Sequence, residues 1–191
     1  AADLRGVGNL MIDLVSQPDW VMELLEICCE GAIHFARAQV EAGADIIGLG
    51  DAVCSQISPP MYRRFALPYE QRIFQAVKEM GAVPRLHICG NTTRILDDMA
   101  MSQAQMIDLD WMVDLGQAAA IYGDSISICG NFDPVAIMLQ GTPERVFSAV
   151  QNCVRLAGKK GFSGAGCEIP DGAPHANLDA QTTALKALTD E

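Results

Sequence analysis

The sequence predicts an α/β fold built from consecutive parallel βα units. Short, strongly apolar runs alternate with stretches of helical periodicity, and five such units follow one another. The runs are too apolar for a one-sided antiparallel sheet and read as strands buried on both faces. The chemically rich residues also gather where these runs end: Asp51, His87, Cys89, Asn91, Asp108, Asp110, Cys129, Asn131, Asp133, Cys167 and Glu168. A (β/α) barrel and an open doubly wound sheet both bind ligands at the C-terminal strand ends. The pattern alone does not separate the two. No GxGxxG turn follows any strand, which weighs against a dinucleotide-binding sheet.

Each element has a local reason. Pro18-Asp19 opens a helix with an acidic first turn, and apolar residues at helical spacing carry it to Gly43. ADIIGLGD is the first strand. Ser58 caps a helix whose first turn tolerates Pro59 and Pro60; it runs to Met80 and is kinked or split at Pro68. AVPRLHICG is the second strand, Thr92 to Met101 a short helix, AQMIDLD the third strand and Val113 to Tyr122 the helix after it. SISICGN is the fourth strand. Asp133-Pro134 starts a short helical piece, and Thr142-Pro143-Glu144 a longer helix reaching Gly158. GFSGAG is the fifth strand and Pro174 to Leu188 the closing helix. The echo of ICGN at 88–91 and 128–131 reads as two βα turns with the same backbone demand, not as a repeat.

The chain has 191 residues, half of them hydrophobic, which suits one well-buried domain over 1–191. It opens AADLRG without Met, and five βα units fall short of the eight that a barrel of about 250 residues closes. The expectation is therefore the C-terminal part of a larger enzyme, its first βα units missing. A formal charge of −11, with only 13 scattered Lys and Arg, argues against a nucleic-acid face. No apolar run reaches the roughly 18 residues of a membrane span, and an acidic surface suits a cytoplasmic protein. Seven cysteines, an odd number, fit reduced thiols better than a disulfide framework. Cys28, Cys29 and Cys153 fall in helical patterns and read as small buried hydrophobes.

His87 and Cys89 in LHICGNT stand two apart on a strand, so their side chains share a face. Cys167, in SGAGCEIP, ends another strand. One imidazole and two thiols are a three-ligand zinc set with a fourth position for substrate. Equally, His87 can be a satisfied core histidine and the two cysteines small buried residues. A structural zinc usually shows four protein ligands in close pairs, and the chain has no CxxC.

LHICGNTTRILDDMA, IDLDW, GNFDPVAIMLQGTPERV, GAGCEIPDGAPHANLDA and AGADIIGLGDAVCSQISPPMYRRFALPYEQRI together resemble the uroporphyrinogen decarboxylase superfamily from about residue 19 onward. The resemblance implies a (β/α)8 TIM-type barrel, of which this chain carries about the last five units. It is closest to the corrinoid-dependent methyltransferases: the decarboxylases usually have His in the last glycine-rich strand segment, where this chain has Cys167. On that resemblance His87, Cys89 and Cys167 are the Zn²⁺ ligands and the catalytic set. The implied activity moves a methyl group between a corrinoid (cobalamin) carried by a partner protein and a thiol or other small donor or acceptor.

The chemistry gives the metal a reason. A free thiol has a pKa of about 8.5 and is mostly protonated at neutral pH. Two Cys thiolates and a neutral imidazole already balance Zn²⁺, so a third, substrate thiolate makes the complex anionic and keeps that sulfur nucleophilic. Asp51 can supply a displaceable fourth ligand, accept from His87, or simply cap a helix. Asp51, Asn91 and Asn131 are candidate cofactor contacts; Asp110, Asn131 and Asp133 can line the pocket, Glu168 can orient a substrate, and Cys129 is a spare ligand or simply a small turn residue. His34 and His175 have no sequence partner. Two other readings stay open. One is a decarboxylase of a polycarboxylate tetrapyrrole, with Arg85 and Arg94 as carboxylate partners. The other is a zinc-binding fragment without turnover.

Overall fold

The computed structural model describes residues 1–189. Nine α-helices and five strands among them run in the order α1 (Ala2–Arg5), α2 (Val7–Ser16), α3 (Pro18–Glu41), β1 (Ile46–Gly50), α4 (Pro59–Phe65), α5 (Leu67–Glu79), β2 (Val83–Ile88), α6 (Leu96–Ala100), β3 (Met106–Leu109), α7 (Leu115–Tyr122), β4 (Ser127–Phe132), α8 (Pro143–Ala157), β5 (Phe162–Ala165) and α9 (His175–Thr189). The five strands form one parallel sheet in the strictly sequential order β1-β2-β3-β4-β5. An open doubly wound sheet reverses its strand order at a switch point, whereas a barrel never does. Sequential order with right-handed crossovers keeps every connecting helix on one side. The sheet is thus an arc of a (β/α) barrel.

Alternation along β2 shows how the two faces are used. Pro84, Leu86 and Ile88 are buried toward the helices, while Val83, Arg85 and His87 are half-buried on the other face. Register places Gly50, His87, Asp108, Cys129 and Phe162 in one row across all five strands. The concave face of the arc therefore carries polar chemistry. The convex face carries the main core, with Ile47, Leu86, Ile88, Ile107, Leu109 and Ile128 under the helices. Burying one such aliphatic side chain contributes about 1.5–3 kcal/mol.

The helix from Ser58 is divided at Pro68. α4 ends at Phe65, Ala66 intervenes, and α5 restarts with Pro68 in its first turn, where a missing N–H is harmless. Ser58 Oγ accepts from Met61 N at 3.4 Å. The stretch after Asp133 winds as a π-turn, Pro134–Leu139, with Asp133 Oδ1 accepting from Val135 N (2.7 Å) and Ala136 N (2.9 Å). The sequence reading begins its first helix at Pro18 and misses α1 and α2. Gly6, Gly8 and Asn9 dilute the helical signal there. Those helices are held by tertiary contact: Leu10 and Leu14, one turn apart on α2, pack with Val21 of α3 and Phe65 of α4 in a small separate core. No helix among the described residues is long and apolar enough to cross a membrane.

Asn177 ties the closing helix to the rest. It is fully buried, and Nδ2 donates to Met138 O at 2.8 Å and Gly141 O at 3.0 Å. Asn177→Ala leaves both carbonyls without this donor, so urea unfolding should show a loss of about 1–3 kcal/mol. An unchanged midpoint would remove this amide from the account of how α9 docks.

Candidate metal centre at the strand ends

His87 closes β2 but for one residue, and Cys89 stands just beyond Ile88, the last residue of the strand. Cys167 follows the tight turn after β5. Folding brings these three together. His87 Nε2 lies 3.1 Å from Cys89 Sγ, and Cys89 Sγ lies 3.7 Å from Cys167 Sγ, across a separation of 78 residues. All three are half-buried.

The imidazole is oriented from behind. His87 Nδ1 lies 3.0 Å from the carbonyl of Asp108, its neighbour on β3, and donates its proton there. That leaves Nε2 with its lone pair facing the Cys89 thiol, the tautomer a metal ligand needs. The Asp108 carboxylate pairs with Arg85, and its Oδ2 stands 3.7 Å from His87 Nδ1, beyond hydrogen-bond reach. The turn that carries Cys89 is pinned by Asp110, which is buried at the end of β3. Its Oδ2 accepts from Gly90 N at 2.8 Å and its Oδ1 from Met112 N at 2.9 Å. Gly90 has φ +89°, where a side chain would be strained.

On the far side, Gly166 lets the Cys167 turn approach β3. A Cβ on Gly166 would stand 2.2 Å from Trp111 N and 2.7 Å from Trp111 Cα, both backbone atoms that cannot yield cheaply. Gly166 N donates to Phe132 O at 2.8 Å, which anchors the turn to β4.

The donor set fits a tetrahedral zinc. Arms of about 2.3 Å to two sulfurs give an S–S edge of about 3.8 Å, against the observed 3.7 Å. The corresponding N–S edge is about 3.5 Å, so His87 and Cys89 need to part by a few tenths of an ångström from 3.1 Å. Burial, then the neighbouring Cys167, push the Cys89 thiol up to about 11. Without a cation Cys89 is therefore protonated at neutral pH, and a bound cation has to displace that proton.

The remaining candidates have other places. Asp51 Nα donates to the His87 carbonyl at 2.9 Å, but the Asp51 side chain makes no capping bond to the short 3-10 turn Ala52–Gln56 that follows it. Its carboxylate groups with Cys54 and Glu70 instead of with His87, Cys89 and Cys167. Asn91 Oδ1 accepts from Thr93 N at 3.1 Å and shapes the exposed turn after Cys89. Asn131 is buried, and Nδ2 donates to Asp110 O (3.0 Å) and Val113 O (2.7 Å), bracing the loop after β3. Cys129 sits one strand over from Asp108, and burial, then Asp108, push its thiol up to about 12. Asp133 caps the π-turn, Glu168 is exposed, and His34 and His175 lie exposed on α3 and at the start of α9. Arg94 is exposed on the short 3-10 turn Thr93–Ile95.

Asp108, Asp110 and Gly166 position the set, and their roles are not assigned from the sequence. The signal available there was IDLDW, which places two carboxylates at a strand end, but which backbone groups they meet is a long-range matter.

Known proteins resemble this chain in sequence and in fold. A family model described as uroporphyrinogen decarboxylase (URO-D) matches residues 1–188. The methylcobamide:CoM methyltransferase MtbA of Methanosarcina mazei is 38% identical over 176 residues, which cover 91% of this chain and 51% of that protein. A uroporphyrinogen decarboxylase of Parasynechococcus marenigrum is 31% identical over 176 residues, 91% of this chain and 49% of its own. The solved structure of a methyltransferase from Methanosarcina mazei superimposes with a TM-score of 0.90 at 27% identity, covering 98% of this chain and 55% of the other. The chain spans about half the length of the curated relatives it matches.

Gly166→Ala should push the Cys167 turn away from Trp111, lowering stability by about 1–3 kcal/mol. A mild thiol oxidant should link Cys89 to Cys167 in the parent and do so more slowly in Gly166→Ala. Equal linkage rates read by peptide mass mapping would show that the turn does not depend on this glycine.

Proposed function

The chain belongs to the uroporphyrinogen decarboxylase family, and we propose that it carries the metal site of a zinc-dependent methyltransferase working with a corrinoid protein. The single observation that carries this reading is the convergence of His87, Cys89 and Cys167 at 3.1 and 3.7 Å. In this proposal His87 Nε2, Cys89 Sγ and Cys167 Sγ hold the cation. When bound, the zinc lowers the pKa of an incoming thiol and holds the resulting thiolate, which the two cysteine thiolates keep electron-rich.

The chain's own residues prepare that event. The Asp108 carbonyl keeps the proton on His87 Nδ1, so Nε2 stays free to ligate. Asp110 and Gly166 hold the two cysteine turns at ligating distance before any substrate arrives, which limits reorganisation during the reaction. The C-terminal strand ends, where all three ligands stand, give the methyl donor its approach. Transfer makes one carbon–sulfur bond and breaks one cobalt–carbon bond, with the bonding pair staying on cobalt; the thiol proton goes to solvent. The relative named for a methylcobamide and CoM makes a small thiol the favoured acceptor class.

A decarboxylase for a polycarboxylate substrate is the other activity found among the relatives. Such a substrate needs several cationic partners. Arg85, on the concave face, is already paired with Asp108, and Arg94 is exposed on the turn after Cys89. The arrangement of thiols favours the methyltransferase.

Metal analysis of the purified protein tests the reading. Cys89→Ser and Cys167→Ser should each lose about one equivalent of zinc relative to the parent, and equal zinc content in all three would sink it. The pH dependence follows from the thiol. Burial and the neighbouring Cys167 push the Cys89 thiol up to about 11, so at neutral pH zinc has to displace its proton. Affinity should rise with pH by about tenfold per unit for each proton displaced. Zinc addition to weakly buffered apo-protein at pH 7 should acidify the solution; a pH-independent affinity would exclude Cys89 as a ligand.

A further inference from the structure

A second group of ligating atoms converges near β1, away from the first set. Asp51 follows the last residue of β1, Cys54 lies in the 3-10 turn behind it, and Glu70 lies on α5. One ligand atom from each falls within 4.8 Å of the other two. Cys54 is 4% exposed and Glu70 1%. The Tyr62 hydroxyl donates to Glu70 Oε2 at 2.5 Å. The other oxygen, Oε1, is buried and meets no donor. Asp51 thus meets the Glu70 carboxyl and the Cys54 thiol together, and protons held on Glu70 and Cys54, or a cation in their place, reconcile that arrangement with burial. All three open onto a cavity of about 240 Å³. Its walls are otherwise largely apolar, with Leu14, Val21, Leu25, Ile57 and Ile73 among them, and no Lys or Arg lines it.

We propose that Asp51, Cys54 and Glu70 form a second divalent-cation site, separate from the His87–Cys89–Cys167 set, which takes a thiophilic first-row ion of the Zn²⁺ class. Two carboxylates alone would suit Mg²⁺ or Ca²⁺; the buried thiol shifts preference to Zn²⁺, Co²⁺ or Fe²⁺. Tyr62 holds Glu70 Oε2 and so presents Oε1 to the cavity, the support a ligating carboxylate normally has. The ion would take the place of the protons that otherwise keep these three donors from repelling one another. Its role would be to clamp. Asp51 Nα donates to the His87 carbonyl, so an ion that fixes Asp51 stiffens the strand end on which His87 stands.

The test begins with the Cys89→Ser/Cys167→Ser double variant, in which the first set is dismantled. Equilibrium dialysis against zinc should still load about one equivalent and raise the thermal midpoint. Cobalt in its place should give a thiolate charge-transfer band in the near ultraviolet. Adding Cys54→Ser and Glu70→Gln should abolish all three signals. Failure of the folded double variant to bind zinc overturns the proposal, as does bound zinc that survives the added substitutions. If the double variant does not fold by circular dichroism, the parent decides. Cys54→Ser/Glu70→Gln in the parent should lower the zinc stoichiometry by about one, and an unchanged value overturns the site. None of these readouts depends on methyl transfer, so the failure of the second site and the failure of the first are told apart.

Discussion

Register in the parallel sheet is the constraint on which the rest depends. Five strands in sequential order place Gly50, His87, Asp108, Cys129 and Phe162 in one row. The residues just past that row reach the same rim of the arc. A slip of one residue in β2 would turn His87 into the helix-facing core and exchange it for Leu86 or Ile88. The apolar alternation of β2 resists that slip, because it would expose two buried aliphatic side chains and bury an arginine and an imidazole. The packing of the convex face and the chemistry of the concave face are thus one decision.

Within that frame the metal centre is held mainly by backbone groups. The Asp108 carbonyl sets the His87 tautomer, and the Asp110 carboxylate gathers the amides of Gly90 and Met112. Asn131 in turn fills the Asp110 and Val113 carbonyls. Each member of this chain of contacts satisfies a buried polar group that would otherwise be left unpaired. The same bonds that keep the loop after β3 folded also keep Cys89 aimed at Cys167. Stability and site geometry are therefore coupled at these residues.

The two ligand clusters are linked through the ends of β1 and β2. Asp51 reaches His87 by its backbone N–H while its carboxylate turns to Cys54 and Glu70. One residue thereby touches both environments, the polar rim of the concave face and the buried pocket between the strand and α2, α3 and α5. The Asp51 carboxylate is not drawn to the imidazole, for a simple reason. His87 already has both ring nitrogens engaged, one with Asp108 and one with Cys89.

Local patterning determined much of this. The apolar runs located all five strands, Pro68 marked the break between α4 and α5, and His87 with Cys89 shared a face because strand side chains repeat every second residue. Cys167 stood out as a possible partner because it ends another strand, and the resemblance to a family made it a ligand, since no spacing rule joins residues so far apart in the chain. The βα grammar alone left barrel and open sheet unresolved; the family resemblance implied the barrel, which is borne out by the sequential strand order of the tertiary structure. The tertiary structure alone seated α1 and α2, whose helical signal is diluted by glycine and whose stability comes from Val21 and Phe65. It alone brought Glu70 to Asp51 and Cys54, because which side of α5 faces β1 is settled by packing between elements. Sequence periodicity reports which side of an element is apolar; which distant group that side meets is decided by the fold.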